Sequence, residues 1–148
     1  MRARGISVSL GADGAACNNR LDMFEEMRLA ATLQAVRQHP GALTARDALW
    51  MATREGARAL AMESEIGSIE AGKRADLILV GRDAAHQAPD PDPWSTLVYA
   101  TRGTDVRLTM VDGQVLVRDF GLQNHDVGAI AAEARTAAKA LAALAGLR

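Results

Sequence analysis

Gly11-Ala12-Asp13-Gly14-Ala15-Ala16-Cys17-Asn18-Asn19-Arg20-Leu21-Asp22-Met23 is the stretch on which the fold turns. Just before it, Ile6, Val8 and Leu10 alternate with Ser7 and Ser9, the period-two pattern of a short strand. Residues 11–14 then read as a loop. Asp13 thus stands just past a strand end, with glycine on both sides within two residues. A carboxylate there can bind a divalent cation and take a proton from its water. Glycine leaves room for a metal or substrate close to the backbone. Spacing alone is equally the spacing of a plain turn aspartate. An EF-hand calcium loop is excluded, because the twelfth position counted from Asp13 is Phe24 and not Glu.

Cys17 lies in the same loop. It can contact a substrate if the loop lines a pocket, although buried packing is the plainer reading. As a nucleophile it lacks a nearby histidine. Asn18 and Asn19 suit helix capping and fixing of the loop better than substrate contact.

Downstream, the pattern predicts a helix over 21–39, capped by Asn18 or Asn19, with Asp22, Glu25 and Glu26 at its positive end. Phe24, Met27 and Ala31 make one apolar row, and Leu29, Leu33 and Val36 make a second. Two rows imply cover on more than one side. His39-Pro40-Gly41 stops this helix. Thr44-Ala45-Arg46-Asp47 resembles a capping box and opens a helical stretch towards Leu60, with Gly56 as a break or close contact. Residues 75–80 read as a buried strand and 81–93 as a loop. Residues 106–111 and 114–117 read as strands joined at Asp112-Gly113, a tight hairpin turn. The Ala-rich tail, 126–147, reads as a helix whose Val127, Ile130, Ala134, Ala137, Leu141 and Leu144 recur every three and four residues. Such a seam suits a coiled coil. The plainer reading packs the helix on its own domain.

Composition narrows the classes. The 148 residues are 49% hydrophobic, 24% charged and 3% aromatic, a soluble globular balance with an aliphatic core. A net charge of −1 gives no case for nucleic acid or an anionic membrane. No apolar run is long enough for a membrane span or a secretory signal. One cysteine excludes an internal disulfide framework and points to a reducing compartment, the cytoplasm by default.

Taken in order, several motifs resemble the amidohydrolase superfamily, in the branch of adenosine-type and guanine deaminases and triazine hydrolases. Gly11-Ala12-Asp13-Gly14 with Cys17-Asn18-Asn19, Asp22-Met23 and Glu26-Met27-Arg28 resembles its eighth-strand signature. Ala48-Leu49-Trp50-Met51-Ala52-Thr53 and Gly56-Ala57-Arg58-Ala59-Leu60 resemble the helices that follow. Ile66-Gly67-Ser68-Ile69-Glu70-Ala71-Gly72-Lys73-Arg74-Ala75-Asp76-Leu77 resembles the approach to the small β domain, and Val111-Asp112-Gly113 with Val115 fits as well.

The resemblance implies an α/β plus β fold. The last strand and helices of a TIM-like barrel occupy 1–62, the carboxy-terminal share of a composite β-sandwich 63–120, and a helix 121–148. It implies Asp13 as metal ligand and catalytic proton acceptor, with Gly14 and Cys17 beside the substrate. It also implies hydrolytic deamination or dechlorination of a purine- or triazine-like ring by metal-bound hydroxide. Zinc is the expected metal, with iron as the alternative. The family's remaining ligands are histidines, including a His-x-His pair. Here His39, His86 and His125 all follow Asp13, form no such pair, and read as solvated surface. One carboxylate does not hold a catalytic zinc, which takes about three protein ligands. The chain alone is therefore expected to be inactive, a fragment, truncated frame or part of a split enzyme. Its expected partner is the preceding barrel portion. Self-association into a homo-oligomer and a non-catalytic interaction module are the alternatives.

Overall fold

The computed structural model describes residues 4–146. Its core is helical. Helix α1 (Met23–Arg37) is capped by Asp22, whose side chain accepts from the Phe24 amide. Glu25 and Glu26 in the first turn and Arg37 in the last complement the helix dipole. The cap is thus Asp22 and neither asparagine, and the helix starts two residues later than the pattern predicts.

Helix α2 (Ala45–Ala52) opens with the expected capping box between Thr44 and Asp47. Its buried Ala45, Ala48 and Met51 face Phe24, Met27 and Ala31 of α1. The helical stretch breaks at Thr53 (φ −126°, ψ −89°) before α3 (Arg54–Ala59), not at Gly56. The close contact falls on Gly67. A Cβ there would lie 2.6 Å from that of Ala57, and its φ of +88° favours glycine independently.

Residues 6–10 keep the expected alternation, with Val8 and Leu10 packed against the core and Ile6 exposed. They form no strand, however, because no ladder partner stands beside them among the described residues. The Leu10 amide instead donates to the Met51 carbonyl at 3.1 Å.

The centre of the core comes from a segment whose helical character the sequence pattern did not disclose. Helix α4 (Pro93–Ser95) continues into a π-helical turn, Thr96–Ala100, and brings fully buried Val98 between α1 and α2. The signal was local: Asp92 caps the turn by accepting from the Ser95 amide, and Pro93 takes the first helical position.

The strands β1 (Leu77–Val80), β2 (Val106–Val111), β3 (Gln114–Arg118) and β4 (Gly121–Leu122) form one antiparallel sheet in that order. Asp112 and Gly113 turn the β2–β3 hairpin with φ of 49° and 78°, the left-handed pair that a two-residue turn requires. The Asp112 amide donates to Asp76 and the Gly113 amide to the Ala75 carbonyl, which ties the turn to the lead into β1. The sheet is a single layer among the described residues, and Leu108 is its one buried hydrophobic residue.

Helix α5 (Val127–Leu144) starts at Asp126, whose side chain accepts from the Gly128 and Ala129 amides. None of its residues is buried. The expectation that its seam packs on this chain is overturned, because the core closes without it. No helix among the described residues is long and apolar enough to cross a membrane.

Candidate functional site

Asp13 sits in the loop between the extended segment and α1. Its backbone is left-handed, with φ of 58°, a conformation that Asp tolerates better than most residues. Its Oδ1 accepts from the Gly14 amide at 2.8 Å. Nothing among the described residues hydrogen-bonds Oδ2, and the residue is exposed. One carboxylate oxygen is therefore held by the loop's own backbone.

The loop after Asp13 is closed on itself. The amides of Cys17 and Asn18 both donate to the Gly14 carbonyl, each at 2.9 Å. The Asn18 side chain then works at both ends. Its Oδ1 accepts from the Arg20 amide at 3.2 Å, and its Nδ2 donates to Glu26 of α1 at 2.5 Å. Arg20 also approaches Glu25 at 2.8 Å, as an ion pair whose Oε2 lacks hydrogen-bond alignment.

Helix α1 is in turn registered against the segment that carries Val98. Arg28 donates to the carbonyls of Tyr99 at 3.1 Å and Thr101 at 2.9 Å. Asp22 accepts from the Gly103 amide at 3.3 Å while capping its own helix. Sequence reasoning missed this chain of contacts. Its contacts that leave the loop, from Asn18 to Glu26, from Arg28 to Tyr99 and Thr101 and from Gly103 to Asp22, span 8 to 81 positions, beyond any local period.

Cys17 is exposed, so the expectation of buried packing is overturned: its loop stands off the core. Gly14 and Gly11 have open space around them and no left-handed φ. Asp13, Gly14 and Cys17 therefore share one exposed loop. The histidines lie elsewhere. His39 faces the Pro40 carbonyl, His125 is exposed, and His86 pairs with Asp105 at 2.9 Å. Burial pushes the Asp105 carboxyl up, but hydrogen bonds from His86 and from the Arg102 amide outweigh it and hold the group below the ordinary range.

No group of three His, Cys, Asp or Glu residues among those described is placed to hold a metal. Asp13 offers one ligand, where a zinc centre takes about three from protein. The described residues on their own do not fit a catalytic metal.

The fold nevertheless has clear relatives. Residues 1–116 match the amidohydrolase family. Over 144 residues the chain is 46% identical to a 5'-deoxyadenosine deaminase of Methanosarcina acetivorans, covering 97% of this chain and 33% of that protein. A 5-methylthioadenosine/S-adenosylhomocysteine deaminase of Moorella thermoacetica is 46% identical over 90% of this chain and 31% of its own length. Among solved structures, a zinc-bound adenosine deaminase from Xanthomonas campestris superposes with a TM-score of 0.87 at 39% identity, over 91% of this chain and 31% of that one. A zinc-bound atrazine chlorohydrolase from Arthrobacter aurescens gives a TM-score of 0.82 at 30% identity, over 91% of this chain and 30% of that one.

The chain is a member of the amidohydrolase family, whose relatives here are hydrolytic deaminases and chlorohydrolases. It spans about a third of the length of the curated relatives it matches.

Proposed function

We propose that this chain supplies the Asp13-bearing loop, with the extended segment that leads into it, of a metal-dependent aminohydrolase that removes the amino group from an adenosine-type ring. Asp13 is a metal ligand and the proton acceptor of the reaction, and Gly14 and Cys17 border the substrate. The other ligands come from a portion equivalent to the remaining two thirds of the relatives. Zinc is the metal proposed, because the solved relatives bind it. Dechlorination of a triazine ring is the neighbouring chemistry in the same family.

The observation that carries this reading is the 46% identity to a deoxyadenosine deaminase across 97% of the chain. Three features of the molecule support it. One Asp13 carboxylate oxygen has no hydrogen-bond partner among the described residues. Gly11 and Gly14 have no steric or conformational need for glycine within this chain. Leu29, Leu33 and Val36 leave an apolar row uncovered on α1, as does the seam of α5.

The test mixes the chain, with zinc, with the amino-terminal two thirds of the Methanosarcina deaminase and follows ammonia release from 5'-deoxyadenosine, 5-methylthioadenosine and a triazine panel. Release is expected from the mixture, none from either piece, and a loss of at least about a hundredfold with Asp13→Asn. Release that survives Asp13→Asn, or comes from the chain alone, overturns the reading. The bare seam of α5 favours a second reading, a non-catalytic module that pairs with itself. That reading predicts a dimer by light scattering and no activity in any mixture.

A further inference from the structure

We propose that Asn18 and Glu26 are a positioning pair that holds the Asp13 loop in one conformation on α1. The inference rests on the reading of Asp13 given above. Asn18 is the residue where three restraints meet. Its amide closes the turn on the Gly14 carbonyl, its Oδ1 takes the Arg20 amide, and its Nδ2 reaches Glu26. The Glu26 bond is the one that leaves the loop, spanning eight residues to a helix that is itself fixed. A hydrogen bond to an ionised carboxylate is about twice as strong as a neutral one. Arg28, two positions on, anchors the same helix to the carbonyls of Tyr99 and Thr101. Before Asp13 the chain is tied to the core through Leu10, whose amide donates to the Met51 carbonyl, and beyond Asp13 the tie to α1 runs through Glu26 and Asn18, beside the misaligned Arg20–Glu25 ion pair.

Donor and acceptor can be exchanged. Asn18→Asp sets two carboxylates against each other, and adding Glu26→Gln restores one donor and one acceptor in reverse order. The readout is amide hydrogen exchange in the 148-residue chain, without zinc or substrate. The Gly14 amide reports its bond to Asp13, and the Cys17 amide reports the turn. Asn18→Asp and Glu26→Ala are each expected to speed exchange at Gly14 and Cys17 about tenfold. The double variant Asn18→Asp with Glu26→Gln, which keeps one ionised acceptor, should exchange at the parental rate, and Glu26→Gln alone should fall between the parent and Glu26→Ala. Met27 and Ala48, buried in the core, should keep parental rates throughout.

Parental rates at Gly14 and Cys17 in Glu26→Ala would overturn the proposal, as would failure of the double variant to restore them. Acceleration shared equally by Met27 and Ala48 would also overturn it, since the pair would then support the whole fold and not the loop. Because no activity is measured, this result is separable from the fate of the zinc reconstitution.

Discussion

On one face of α1, Phe24, Met27 and Ala31 are 8%, 3% and 1% exposed, while Leu29, Leu33 and Val36 on the other are 45%, 59% and 82% exposed. The two rows are alike in hydrophobicity and spacing. What separates them is contact: the first row meets α2 and Val98, and the second lies outside that core. Periodicity thus reports which faces a helix can bury, and the neighbours decide which of them it does bury.

The largest expected effect tests that difference directly. Met27→Ala removes a side chain packed on all sides and should lower unfolding free energy by about 2–5 kcal/mol in urea titration. Leu33→Ala deletes a similar side chain from the open row and should change it by less than about 0.5 kcal/mol. Equal losses would mean that the outer row is covered in solution, and the contrast would fail.

A smaller effect concerns the polar tie that helps close the covered side. His86 and Asp105 join the short turn at Ala85–Gln87 to the one at Gly103–Asp105, on either side of the segment that carries Val98. The Asp105 carboxyl is held below its ordinary range in the fold. Its contribution is therefore fully present above the unfolded-state value, about 3.9, and is lost as pH falls through the lower folded value. Asp105→Asn should cost about 1 kcal/mol at neutral pH. Thermal midpoints of parent and variant should converge as pH falls through the lowered folded value of Asp105. Asp90 and Asp92, also held low, are common to both proteins and cancel in the comparison. A gap that persists unchanged in acid would remove the ionised Asp105 from the account.

The same division between local and distant causes explains what could be read from the chain. The Thr44–Asp47 capping box and the Asp112-Gly113 hairpin are settled within four residues, and both stand as expected. The body of α1 and the existence of the strand at Leu77–Val80 follow from composition and period, but the burial expected of that strand is overturned, with Ile78 and Leu79 47% and 56% exposed because the sheet has no second layer over it among the described residues. The break at Thr53 does not, because Gly56 is the stronger helix breaker, and the close packing falls on Gly67, ten or more residues away. The strand expected at 6–10 has the alternation but no ladder, since hydrogen-bonded partners are not a property of the segment itself. At the site, Asp13 and its loop were legible from the motif. The burial expected of Cys17 was not met, and the Asn18–Glu26 bond was invisible because it joins a loop to a helix at no fixed period.

The smallest expected effect belongs to α5, the extreme case of an uncovered seam. Val127, Ile130, Leu141 and Leu144 all stay exposed, and no side chain of the helix is buried. Most of a helix's stability in a protein comes from packing of its apolar face, and α5 has none among the described residues. Truncation after His125 should therefore leave the thermal midpoint of the remaining fold unchanged, while removing less far-UV helical signal than 18 ordered residues would give. A concentration-dependent gain of helical signal in the full chain would show the seam pairing between copies. A lower midpoint on truncation would place α5 against the core, and its exposure would then cease to resemble that of the outer row of α1.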